Sequence, residues 1–208
     1  GITDHGPAMQ GAADIWHIGN LRVVPETIYG VEILKGVEAN ILNEHGELDV
    51  PDSLLRELDI VLAGLHDGLH NSLSVPMDRA GNTKAIMTVM DNKYVDIMVH
   101  LGNPRFPIEI EEVVLKAKAT NKLIEINNSS LHITRSGSSS NCLEIALMCK
   151  KHSVPMIFSS DSHISFDVGR FDKIFELLAG ADIPEELIIN SSIDRFESHM
   201  KSRGFNRV

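Results

Sequence analysis

Val95-Asp96-Ile97-Met98-Val99-His100, then Ile108 to Thr120, then Leu123-Ile124-Glu125-Ile126-Asn127-Asn128, is the stretch that decides the fold. Its first and last parts are short β-branched runs of the kind that form buried strands. The middle part places Ile110, Val113, Val114 and Ala117 at the period of one helix face. A strand, a helix and a second strand in so few residues make a βαβ crossover, and a crossover implies parallel strands.

The same alternation extends outward in both directions. Val31-Glu32-Ile33-Leu34, Ile60-Val61-Leu62-Ala63 and Pro155-Met156-Ile157-Phe158 read as further strands. Helical segments lie between most of them. Thr83 to Asp91 carries Ala85, Ile86, Val89 and Met90. Asn141 to Lys151 carries Leu143, Ala146 and Leu147. Phe171 to Ala179 carries Phe171, Ile174, Phe175 and Leu178. Asn82 and Asn141 are candidate N-caps, Gly180 and Gly204 candidate helix stops, and a last helix is expected from Ile193 to Arg203. Gly1-Ile2-Thr3 reads as the tail of a strand. Repeated βα units put helices outside a parallel sheet, in an α/β barrel or an open sheet. No linker rich in Ser, Gly or Pro divides the chain, so residues 1–208 read as one domain.

Composition narrows the function classes. With 208 residues and 43% hydrophobic content the chain can bury a substantial core. Its apolar runs fall far short of the roughly 20 residues that a membrane helix needs. No basic region leads into an apolar run and cleavage site, and the two cysteines, Cys142 and Cys149, form neither a CxxC motif nor a disulfide framework. A cytoplasmic protein is expected. The net charge of −10 and an aromatic content of 5% argue against nucleic acid as partner. No P-loop and no GxSxG elbow is present.

The chemistry gathers where strands end. Gly1-Ile2-Thr3 ends in Asp4-His5, the run through Gly36-Val37 in Glu38, Ile60 to Leu65 in His66, and Val95 to Val99 in His100. Leu123 to Ile126 ends in Asn127-Asn128, and Met156 to Ser160 in Asp161-Ser162-His163. In a parallel barrel all such ends emerge on one face. His5, Glu38, His66, His100, Asp161 and His163 are therefore expected to converge. Imidazoles mixed with carboxylates suit Zn, Mn or Fe better than Mg or Ca. Arg135, in the polar loop Thr134-Arg135-Ser136-Gly137, is a candidate phosphate clamp, Asn127 and Asn128 are candidates to orient water or substrate, and His17 is a candidate substrate contact. His45 reads as part of a turn. His70, His132, His152 and His199 read as loop or helix-surface residues.

At these residues the chain resembles the PHP (polymerase and histidinol phosphatase) family, in its YcdX-type phosphatase branch. The matching blocks are Ile2-Thr3-Asp4-His5-Gly6-Pro7, Gly36-Val37-Glu38-Ala39-Asn40, Ala63-Gly64-Leu65-His66, His100-Leu101-Gly102-Asn103-Pro104, Glu125-Ile126-Asn127-Asn128-Ser129-Ser130 and Ser160-Asp161-Ser162-His163. The resemblance implies a distorted (βα)7 TIM-like barrel around about two or three divalent transition metals, Zn first, with Mn or Fe as alternatives. It implies that Glu38 bridges two metals, that His66 and His100 complete one centre, that Asp161 serves the other, and that His5 and His163 share the third. The family's opening His-x-His strand has no counterpart in this sequence, so the first βα unit, roughly 30–40 residues, is expected to be absent from this chain. That absence implies an unstable or homo-oligomeric fragment of low activity. The implied activity is hydrolysis of a small phosphomonoester by a metal-bound hydroxide, with Asp161 and Glu38 as catalytic residues. A PHP-type nuclease and an inactive metal-binding fragment are the alternatives.

Overall fold

A computed structural model describes residues 1–70, 78–132 and 135–202. The chain runs through helix α1 (Ile15–Asn20) into a small antiparallel hairpin of β1 (Thr27–Ile28) and β2 (Val31–Glu32). There follow β3 (Gly36–Asn40), α2 (Asp52–Leu55), β4 (Ile60–Gly64), α3 (Arg79–Val89), β5 (Ile97–Met98), α4 (Ile110–Thr120), β6 (Leu123–Asn127), α5 (Ser138–His152), β7 (Met156–Ser159), α6 (Asp172–Leu178) and α7 (Ile193–Ser202). Strands β3 to β7 form a five-stranded sheet in sequence order, every pair parallel. None of the helices among the described residues is long and apolar enough to cross a membrane.

Both edges of this sheet are extended. Residues 2–6 run parallel to β3. The amide of Gly36 donates to the Ile2 carbonyl and that of Glu38 to the Asp4 carbonyl, at 2.8 and 3.0 Å. Beyond β7, Ile188 bridges Met156, and the Asn190 side chain both accepts from the Phe158 amide and donates to its carbonyl. Among the described residues these pairings extend the sheet at each side without joining its two edges.

The two faces of the sheet differ, as strand alternation requires. Val37, Ala39, Val61, Ala63, Met98, Ile124, Ile126 and Met156 pack outward with Ala85, Ile86, Val113, Val114, Ala117, Ile145 and Ala146 of the helices in the main core. The inner face carries a smaller apolar floor of Ile60, Ile97, Val99, Leu123 and Ile189. Above that floor, Glu38 and Asn40 on β3 and Glu125 and Asn127 on β6 are all buried. Alternation puts each pair on one strand face. Apolar below and polar above, the inner face is already a site wall.

The structure departs from several expectations. Val31 to Leu34 supplies no strand of the parallel sheet: Val31 is exposed, and β2 pairs only with β1. The strand is Gly36–Asn40, and Glu38 lies at its centre, not its end. Gly36 permits this because a Cβ there would run into the Ile60 carbonyl of β4. The N-cap of α3 is Asp78, whose carboxylate accepts from the Gly81 amide; Asn82 lies inside the helix and donates to the Pro107 carbonyl. Asn141 lies inside α5, whose buried face is Cys142, Ile145, Ala146 and Cys149, not Leu143 and Leu147. Phe175 is exposed, and Phe171 precedes α6 as its N-cap residue. Gly180 does follow α6 in the left-handed conformation suited to a helix stop. His199 is buried, not on a helix surface. Arg203 and Gly204 lie outside the described residues.

Candidate metal centre

The carboxyl ends of the parallel strands bring distant residues together. His66 Nε2 lies 2.8 Å from Glu38 Oε1, His100 Nε2 lies 3.0 Å from the same oxygen, and the two imidazole nitrogens are 2.8 Å apart. All three side chains are buried. The other carboxylate oxygen, Glu38 Oε2, is 3.9 Å from His5 Nδ1. His5, Glu38 and His66 each offer a ligand atom within 4.8 Å of the others, so this His/Glu/His cluster could hold a metal ion. Donors on one tetrahedral cation stand about 3.4 Å apart when each bond is near 2.1 Å, and the distances seen bracket that value.

The donor set fits a cation on a second ground. His5 Nδ1 is buried without a hydrogen-bond partner among the described residues. Such a buried polar atom is costly unless something coordinates it. Burial and the neighbouring His66 push the His100 imidazole down to about 4, although Glu38 opposes them, so its ring is neutral near pH 7. Burial likewise lowers His5. Burial works against ionisation of Glu38, yet hydrogen bonds from His100 and His66 hold its carboxyl well below the ordinary range. Neutral imidazoles around an ionised carboxylate are the protonation states that metal ligation needs.

On the other side of the centre stand the residues that follow β7. Asp161 Oδ1 is 3.8 Å from His163 Nδ1, while Oδ2 accepts from Arg135 at 3.0 Å and from the Asn127 amide at 3.1 Å. Arg135 also donates to Ser130 Oγ; Thr134, its loop neighbour, lies outside the described residues. The His5 ring is edge-on to His66 at 4.9 Å and 6.1 Å from that of His163, which joins the two sides. A cavity of about 490 Å³ opens between them, lined by His5, His66, Arg105, Arg135, Asp161 and His163. Its walls can bind an anion at the arginines and a cation at the imidazoles and carboxylates.

The other predicted residues fall elsewhere. Asn127 is buried beneath Asp161, and buried Asn128 accepts from the Lys173 and Ile174 amides at the start of α6. His17 is exposed, 3.2 Å from Asp4 and outside the cavity lining. Two supporting acids escaped the sequence reading. Asp49 accepts from the Ala8 and Asn40 amides and the Asn40 side chain, pinning the segment that carries His5. Glu125 accepts from the His100 amide, Ser159 Oγ and Asn127. Burial, then the charges of Asp161 and Glu38, raise its carboxyl to about 7. A signal for Glu125 was present: an acid on the same strand face as Asn127, inside an apolar run.

Comparison with known proteins gives one consistent result. No family model matches the chain. The chain is 51% identical over 202 residues to a probable phosphatase of Acetivibrio thermocellus, covering 97% of this chain and 82% of that protein. It is 50% identical over 204 residues to a probable phosphatase of Clostridium novyi, with 98% and 82% covered. A probable phosphatase of Thermoanaerobacter is 48% identical over 202 residues, with 97% and 81% covered. Among solved structures, a chain in the cryo-EM structure of archaeal ribonuclease P with mature tRNA has a TM-score of 0.54 at 15% identity, covering 96% of this chain and 80% of that one. That likeness concerns the fold alone.

Proposed function

This chain belongs to the family of probable phosphatases, and from that premise we propose that it hydrolyses small phosphomonoesters with the help of about two or three divalent metal ions. The observation that carries this reading is the meeting of His66 Nε2, His100 Nε2 and Glu38 Oε1 within 3.0 Å, with the buried His5 Nδ1 beside Glu38 Oε2. Glu38, His66 and His100 would hold one ion, and His5, Asp161 and His163 would contribute to the rest, as the resemblance to the PHP family implies. Mixed imidazole and carboxylate donors favour Zn, with Mn or Fe next. Such ions supply Lewis-acid activation of water and neutralise charge on phosphoryl oxygens.

The chain's own side chains do the rest. Arg135 orients the phosphoryl group through charge-assisted hydrogen bonds and is itself aimed by Asp161 and Ser130. Asp161 sits at the cavity wall, where it can take a proton from water or return one to the leaving oxygen. Ile97, Val99 and Leu123 close the site from below, which keeps its charges in a poorly solvated setting.

Hydrolysis of p-nitrophenyl phosphate by the purified chain tests the reading. Activity lost to a chelator and restored by Zn or Mn is expected. Cleavage of single-stranded DNA without phosphomonoesterase activity would overturn it.

A further inference from the structure

His100 and Asp161 share a feature that alternation and burial do not explain. Both have positive φ, +38° and +47°. For residues with a Cβ this region is strained and persists only where the surroundings impose it. Asn121 and Ser153 also have positive φ, but they are the C-cap residues of α4 and α5, where that conformation is routine. His100 and Asp161 follow strands instead, on either side of β6. The strand between them carries Glu125 and Asn127 on one face.

The hydrogen bonds connect these facts. Glu125 Oε2 accepts from the His100 amide at 2.6 Å and from Asn127 Nδ2 at 3.2 Å, and Oε1 accepts from Ser159 Oγ at 2.5 Å. Asn127 Nδ2 donates in turn to Asp161 Oδ2 at 3.1 Å. The orientation of that amide is fixed, because Asn127 Oδ1 accepts from the Ser130 amide at 2.9 Å, which leaves Nδ2 to face the two carboxylates. One carboxylate and one amide on β6 thus hold a residue after each of its neighbouring strands.

We propose that Glu125 is a positioning residue: with Asn127 it fixes the left-handed backbone at His100 and the carboxylate of Asp161, and so sets the distance across the metal centre. The proposal rests on the reading that His100 and Asp161 are ligands. What the site takes from Glu125 is hydrogen-bond geometry. Glutamine can keep the bonds from the His100 amide and Asn127 with its oxygen, and it can keep the Ser159 contact with the direction reversed, its NH₂ donating to Ser159 Oγ. Alanine can reproduce none.

Cobalt(II) titrated into the purified chain, followed by its visible absorption, provides the test, together with the His100 amide proton resonance of the metal-free protein. Glu125→Ala is expected to weaken cobalt binding about tenfold or more and to alter the absorption bands. The same variant should move the His100 amide resonance well upfield. Glu125→Gln should bind cobalt within about threefold of the parent and keep that resonance downfield. Should Glu125→Ala fail to melt cooperatively, Ser159→Ala removes one anchor of the carboxylate at a half-buried hydroxyl, and a smaller upfield shift is expected. Cobalt affinity and the His100 resonance both unmoved in Glu125→Ala, or the resonance unmoved in Ser159→Ala, would overturn the proposal. If the parent chain binds no cobalt, the metal reading fails, while the His100 resonance still decides the positioning role.

Discussion

The two sides of the centre use the same residue types in opposite surroundings. Glu38, His66 and His100 are buried and face mainly one another, whereas the His163 side chain is 72% exposed and Asp161 is already paired with Arg135. On the buried side, burial keeps the His100 ring neutral, while hydrogen bonds from His100 and His66 keep the Glu38 carboxylate ionised against that same burial, a donor set waiting for a cation. On the open side, a guanidinium already neutralises the carboxylate, and a phosphoryl group can compete for it. The difference teaches a division of labour in the proposed mechanism: the buried side would hold one ion closed off from water, and the open side, where Asp161 and His163 would contribute to the other ions, is the one that exchanges with substrate.

The sharpest way to break that division is Glu38→Gln. It removes the charge that both imidazoles face, and it should cost at least one metal ion per chain by elemental analysis and about 100-fold or more in phosphatase activity. Equal metal content in the variant would put the buried cluster outside the metal site.

Gly64→Ala gives a smaller, geometric break. A Cβ at this position would lie 2.7 Å from His100 Cε1 and 2.6 Å from a Val99 methyl. The ring must tilt away, at about 1–3 kcal/mol of stability measured by denaturant melts. Metal affinity should fall with it, and undiminished affinity would mean that His100 is not held where the ligand set needs it.

Legibility of the fold in the sequence varies by region. Strands β4 to β7 were legible because their apolar runs are buried on the outer face and only partly polar within. Strand β3 was not. Of Gly36-Val37-Glu38-Ala39-Asn40, only Val37 and Ala39 are apolar, because Glu38 and Asn40 face the site, while the more hydrophobic Val31 to Leu34 run includes an exposed hairpin strand. The requirement that makes β3 functional is the one that hides it from a hydrophobicity pattern. Helix α3 begins earlier than expected for a related reason. Asn82 is a good capping residue by type, but the helix start is set by Asp78, and the Asn82 amide serves a tertiary contact to Pro107. The meeting of His5, Glu38, His66 and His100 was legible from residue type and position together. The role of Asp49 was not legible, since an acid that binds only backbone amides and one neighbouring side chain carries no mark in sequence, and Glu125 was marked only by sharing a strand face with Asn127 inside an apolar run.

His163→Ala is expected to have the mildest effect of the series. The exposed ring should contribute within about 0.5 kcal/mol to stability, and the ion at Glu38, His66 and His100 should remain by elemental analysis. Activity should fall while that metal stays bound; a variant that loses all its metal would merge the two sides into one cooperative centre.

Anomalous diffraction from zinc-loaded crystals, recorded above and below the zinc edge, tests the central claim most directly. A peak is predicted on the buried side, about 2.0–2.2 Å from a Glu38 carboxylate oxygen and from Nε2 of both His66 and His100. Zinc found only on surface histidines such as His45 or His132, with no peak among these buried donors, would contradict it.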